Sequence, residues 1–170
     1  MENNISKKMA FGGILLALEA IFFMLINFVP MNTIFFMVLA SFVSSIVIIE
    51  FGEKTGTIFT FASILLSFMI IGNKVQWFVY AISFAIYGLV KSLIERGRTM
   101  GVEYGIKLVF ANIVFAIMYF ALKSFLAELQ YIPILFVGLN VVFLIYDLFY
   151  SQFIRLYENK LRKNISKYLD

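Results

Sequence analysis

The sequence predicts an all-α membrane protein, a six-transmembrane-helix bundle with both termini cytoplasmic. Three observations carry that expectation: an excess of apolar residues, six apolar segments of spanning length, and a one-sided distribution of Lys and Arg. Of 170 residues, 62% are hydrophobic and 14% charged, with a mean hydropathy of +0.95. A soluble domain has roughly 45–50% apolar and about 25% charged residues. A spanning helix needs about 20 mainly apolar residues, because the hydrocarbon core is roughly 30 Å thick and a helix rises about 1.5 Å per residue.

The segments that meet this length are 9–29, 31–49, 55–72, 75–94, 104–123 and 132–153. The first follows Lys7 and Lys8 and stops at Pro30. The second ends at the charged turn holding Glu50, Gly52, Glu53 and Lys54, and the third ends at Gly72. The fourth runs into Glu95-Arg96-Gly97-Arg98, the fifth follows Gly101, and the sixth begins beside Pro133. The connections are mostly a few residues long, so consecutive helices are expected to be antiparallel neighbours with little chain left for a soluble domain. The first segment resembles a signal peptide only in its flanking lysines. Its length, the Glu19 at its centre and the lack of a small-residue cleavage site predict that it is retained.

Orientation follows from Lys and Arg near the span ends. With the N-terminus inside, Lys7, Lys8, Lys54, Lys91, Arg96, Arg98, Lys107, Arg155, Lys160, Arg162, Lys163 and Lys167 fall on the cytoplasmic side, and Lys74 and Lys123 fall outside. This gives one six-span domain over 1–153 and a basic amphipathic tail over 154–170. In the tail Ile154, Tyr157, Leu161, Ile165 and Tyr168 recur at helical spacing, which fits a helix on the inner membrane surface with its cations at anionic lipid head groups.

The chain has neither Cys nor His. That excludes a disulfide framework, a thiolate nucleophile, an imidazole base and a conventional zinc site. The net charge of +4 is better explained by the cytoplasmic flanks than by nucleic acid, which is not an expected partner. No phosphate-binding glycine loop, nucleophile elbow, acidic metal motif or cofactor fingerprint occurs. No catalytic residue, metal site or cofactor is therefore expected, and nothing in the chain would bind ATP.

The candidate binding residues are polar groups that a bilayer tolerates only at a cost. Glu19 stands half-way along the first span, where an ionisable group costs at least about 2.5–3.5 kcal/mol, so its carboxyl should be neutralised, paired or facing a hydrated cavity. Asp147 and Lys91 lie nearer the inner ends, where snorkelling or an ion pair suffices. Glu103 and Lys107 have i,i+4 spacing and read as a solvated helix end. At the outer side Asn27, Asn32, Asn73, Lys74, Gln76, Trp77 and Tyr80 offer amides, a cation and aromatic walls suited to a small solute, or else an ordinary interfacial belt. Asn140, like Asn112, either lines the same cavity or joins helices. Gly13 and Ala17 form a small-x-x-x-small pair, extended by Ala10 and Ala20, fit for internal packing or for docking another membrane protein.

The six short-looped spans, the lysines before an alanine-rich first helix (KKMAFGGILLALEA) and the Asp followed by a basic helical tail (YDLFYSQFIRLYENKLRK) resemble the substrate-binding S components of energy-coupling factor transporters. The resemblance implies a subunit that binds a vitamin or other micronutrient from outside, then docks on a transmembrane coupling protein and a pair of ATPases. It also implies docking through an Ala-x-x-x-Ala face of the first helix, for which the counterpart here is Gly13 and Ala17, with Gly in place of the first Ala. Two other functions fit the composition: a non-catalytic scaffold of the cell envelope, and a small ion-coupled carrier with Glu19 as the titrating group.

Overall fold

The computed structural model describes residues 2–123, 132–162 and 165, all in helices, turns or short connections. Lys163, Lys167 and Tyr168, which enter the charge distribution and the tail pattern above, lie outside the described residues. The helices are α1 (Glu2–Phe28), α2 (Thr33–Ile70), α3 (Lys74–Val79), α4 (Tyr87–Ile94), α5 (Met100–Leu122) and α6 (Ile132–Leu156). A short 3-10 turn, Pro30–Asn32, joins α1 to α2. A π-helical stretch, Tyr80–Ala85, joins α3 and α4 into one rod, and another, Tyr157–Leu161, continues α6. Among the described residues five helical rods are long and apolar enough to cross a membrane. Large apolar side chains such as Ile14, Phe28, Ile58, Phe61, Leu65 and Phe120 point outward, as a surface solvated by lipid rather than water allows.

At 38 residues α2 would extend about 57 Å as a straight rod, nearly twice the hydrocarbon thickness. It does not run straight. Gly52 sits at φ 79, ψ 174 inside it, a backbone region essentially confined to glycine, and the chain reverses there. A Cβ on Gly56 would lie 3.3 Å from the Cα of Ile48, whereas eight residues of continuous helix span about 12 Å. The break expected near Gly52 is thus present, and α2 is two helical limbs folded side by side.

The chain divides into two compact units, Met1–Ser92 with Gln152–Asp170, and Leu93–Ser151. In the first unit α1 packs along both limbs of α2. Phe23, Ile26, Met37, Ala40, Ile71, Tyr80 and Ala85 form one buried cluster, and Leu15, Val43, Val47 and Phe59 another.

One end of this unit collects the cationic flanks. Phe11 meets Phe51 edge-on at 5.9 Å, Lys8 Nζ lies 5.8 Å from the same ring, and Ser92 Oγ donates to Glu53 Oε1 at 3.2 Å. The segment after α6 ends there too: Tyr157 Oη donates to Glu50 Oε1 at 3.1 Å, and Arg162 Nε lies 3.2 Å from that oxygen. At the opposite end Asn27 holds the turn after α2, with its Nδ2 donating to Ile70 O at 2.8 Å and its Oδ1 accepting from Gly72 N at 3.0 Å.

In the second unit α5 and the first part of α6 run antiparallel, since Lys107 pairs with Asp147, Asn112 with Asn140 and Phe115 with Phe136. The stretch Tyr157–Leu161 continues α6 directly, and Tyr157 is buried on the first unit. The junction of domain and tail placed after 153 therefore falls inside a helix that runs to Leu156.

Replacing Gly52 by Ala meets no atom within 4 Å, so its cost is conformational, about 1–3 kcal/mol. Gly56→Ala puts a methyl 2.5 Å from Ile48 Cγ1 and forces the limbs apart. Denaturant titration in detergent micelles should show both variants destabilised, while Gly12→Ala, which meets nothing within 4 Å, leaves the midpoint unchanged or raised.

Candidate functional site

The buried face of α1 reads Leu15, Glu19, Phe23 and Ile26, at intervals of four, four and three residues, so the carboxyl is carried inward by the same helical stripe that builds the core. Facing it, the first limb of α2 presents Ala40, Ser41, Ser44 and Ser45, and the second presents Gly56, Thr60, Ser63 and Ser67. Residues this small let backbones approach closely without water. Ser41, Ser45 and Ser67 turn their hydroxyls back to carbonyls three residues earlier.

Ser44 and Ser63 instead reach across helices. Ser44 Oγ donates to Glu19 Oε1 at 2.7 Å. Ser63 is the second hydroxyl beside the carboxyl, and its oxygen lies 2.7 Å from the phenolic oxygen of Tyr80. The Tyr80 ring packs edge-on against Phe23 at 4.9 Å. Four helical segments thus meet around one carboxylate.

Glu19, Ser63 and Tyr80 are wholly buried, and Ser44 and Thr60 nearly so. Glu19 Oε2 and Thr60 Oγ1 have no hydrogen-bond partner among the described residues. Tyr80 also opens the π-helical stretch through Ala85, a local widening that occurs frequently at functional sites.

The residues expected to form an outer wall are engaged mostly with their own backbone. Asn73 caps α3 by accepting from Val75 N at 2.9 Å and Gln76 N at 3.4 Å. Lys74 Nζ donates to Phe68 O at 2.6 Å and Ile71 O at 3.1 Å, and stands 4.2 Å from the Phe68 ring centre. Trp77 Nε1 donates to Ile64 O at 3.1 Å, with its rings edge-on to Phe68. Tyr80 turns into the core rather than joining Trp77 on a shared wall.

Asn32 is exposed and Gln76 half-buried. Asn140 exchanges hydrogen bonds with Asn112 at 3.0 and 3.1 Å in the second unit. The structure therefore joins Glu19 to Tyr80 through Ser63, and Asn27 to the turn just before Asn73.

Gly13 and Ala17 lie on the outward side of α1, and a Cβ on Gly13 would meet nothing within 4 Å. Lys107 departs from the sequence reading. It is 3% exposed, and its ammonium bridges Glu95 and Asp147, the latter at 2.9 Å, so it is no solvated end. Nothing local signals this pairing, since Asp147 lies 40 residues away. Ser44 and Ser63 give no local sign of their role beside Glu19 either, because a serine stripe in an apolar helix also reads as simple packing.

Comparison with known protein families, curated proteins and solved structures finds no match. The helices are compatible with a multi-pass membrane protein.

Asp147→Asn removes the buried partner of Lys107 and leaves it only Glu95 at the edge of solvent, so it should cost about 3 kcal/mol. Glu95 has a side chain 35% exposed, and Glu95→Gln should cost under about 1 kcal/mol. Thermal unfolding of the two variants in the same detergent reads the difference.

Proposed function

We propose that the chain is the substrate-binding S component of an energy-coupling factor type importer, which captures a vitamin-sized solute from outside and hands it to a coupling protein driven by ATPases. In this reading the chain crosses the membrane six times, the two limbs of α2 being separate spans, and both termini are cytoplasmic. The observation that carries the reading is the division of α1 into two faces. Its inward face holds Glu19 in the core, while its outward face offers Gly13 and Ala17 with open space above them.

Lipid tails are as apolar as leucine, so an outward groove of small residues gains from contact with another helix what it cannot gain from lipid. That suits docking on a transmembrane coupling protein. The solute site belongs at the end opposite the cationic flanks, around Asn27, Asn32, Asn73, Lys74, Gln76 and Trp77. The collection of Lys8, the Gly52 turn and Arg162 at one end of the first unit supports the orientation, because positive residues are retained on the cytoplasmic side.

Mild-detergent purification of the tagged chain from its native membrane should bring down a coupling protein and ATPase subunits together with a small molecule. Gly13→Leu with Ala17→Leu should abolish that capture while shifting the unfolding free energy by less than about 0.5 kcal/mol, as surface changes do. Purification of the wild-type chain without ATPase subunits removes the reading.

The absence of cysteine makes topology directly measurable. Lys54→Cys should resist a membrane-impermeant maleimide applied to intact cells and Gly72→Cys should react; equal labelling of the two positions would overturn the orientation.

A further inference from the structure

We propose that the Glu19 carboxylate, with the hydroxyls of Ser44, Ser63 and Thr60 and the phenol of Tyr80 at the head of the π-helical stretch, forms a binding site for a dehydrated monovalent cation of sodium size. The polar side-chain atoms of Glu19, Ser44, Ser63, Thr60 and Tyr80 are all oxygens, the donor type that suits hard cations. One carboxylate oxygen is occupied by Ser44, and the other faces the core with no partner among the described residues. Thr60 precedes Ser63 by one turn on the same buried face of α2, and its hydroxyl also has no partner. Native proteins leave few such atoms unsatisfied, and each calls for an explanation. One of them belongs to the carboxylate itself and the other to Thr60, and together they point to an occupant that supplies the missing interactions.

Charge and space define that occupant. Among the described residues Glu19 is the only wholly buried acidic side chain of the first unit, so the site carries at most one negative charge and balances a monovalent ion rather than a divalent one. Glu19, Ser63 and Tyr80 are entirely buried, Ser44 is 1% exposed and Thr60 3%. Burial this complete favours an occupant stripped of its water and no larger than a bare ion. The π-helical register at Tyr80–Ala85 widens the helix at this point, as often happens at functional sites. Binding would neutralise the carboxylate where an isolated charge is most costly. The cation site uses the inward face of α1 and the docking face is outward, so each stands or falls separately.

The test uses the full chain in nanodiscs, with sodium chloride exchanged for choline chloride at constant ionic strength. Trp77 is the only tryptophan, and its indole is bonded to Ile64 O, the residue after Ser63, so its emission reports on the site. Sodium should produce a saturable change in Trp77 emission and raise the melting midpoint, as any ligand selective for the native state does; choline should do neither.

Glu19→Gln should abolish both responses. Thr60→Val removes a hydroxyl that bonds to nothing in the described structure. It should therefore melt like wild type in choline yet bind sodium about tenfold more weakly, the loss of one oxygen ligand to a charged group. Should Glu19→Gln fail to fold, Thr60→Val decides alone. A wild-type chain that responds alike to both salts overturns the site, as does a Thr60→Val variant with wild-type sodium affinity.

Discussion

Hydrocarbon offers no hydrogen bonds, and that single fact governs where polar groups occur along this chain. In water a serine or glutamate left unpaired finds solvent. In the middle of an apolar helix it must find protein, at a cost of several kcal/mol if it does not. Glu19 is the sharpest instance. Its carboxyl draws Ser44 and Ser63 across from the two limbs of α2, and Ser63 in turn engages Tyr80 from the rod that follows. Contacts among Leu, Ile and Phe tolerate sliding and rotation, because one apolar side chain substitutes for another. A hydroxyl aimed at a carboxyl does not, so the network sets the register of the segments around α1.

The same constraint acts at the chain reversals. The Gly52 turn lies among charged residues, and Glu50 and Glu53 are satisfied by Tyr157, Arg162 and Ser92. In the second unit Lys107 meets Glu95 and Asp147, so a cation on the buried face of α5 is compensated twice. Buried ion pairs of this type add little net stability but strongly oppose any arrangement that separates them. They specify how α5 and α6 are aligned, as Asn112 and Asn140 do further along the same pair of helices.

Much of this arrangement was legible from the amino acids, and what escaped did so for a physical reason. The limits of the rods were readable because charge, Pro and Gly interrupt long apolar runs, and Gly52 marks its turn by composition alone. Glu19 stood out as the acid at the centre of an apolar run. The inward and outward faces of α1 were not readable. In a soluble helix polarity distinguishes them, but beside lipid the outer face is as apolar as the core, so Gly13 and Leu15 give no sign of pointing in different directions. Pairings such as Lys107 with Asp147 depend on tertiary proximity and leave no trace in local spacing. The π-helical stretches are equally silent, because YAISFA has nothing that an ordinary helix would reject.

The end of the first unit opposite the cationic flanks shows what a solute there must contend with. The turn after α2 exposes carbonyls that the helix no longer satisfies, and Asn27 and Lys74 supply the missing partners to Ile70, Phe68 and Ile71. Trp77 adds a further hydrogen bond to Ile64 O, which also accepts from Ser67. The side chains best suited to recognising a solute are therefore the ones holding the turn closed. In the proposed reading, a solute that recruits Asn27 or Lys74 takes a hydrogen bond from the backbone between Phe68 and Gly72, while Asn32 and Gln76 can be engaged without loosening it. Binding then favours whichever turn geometry gains more from the solute than it gives up. Because Ile64 is the neighbour of Ser63, a change in how Trp77 holds that carbonyl is felt one residue from the Glu19 network. In that reading the second limb of α2 runs from the solute site to the buried carboxyl, and it is the path by which occupancy of one would be felt at the other.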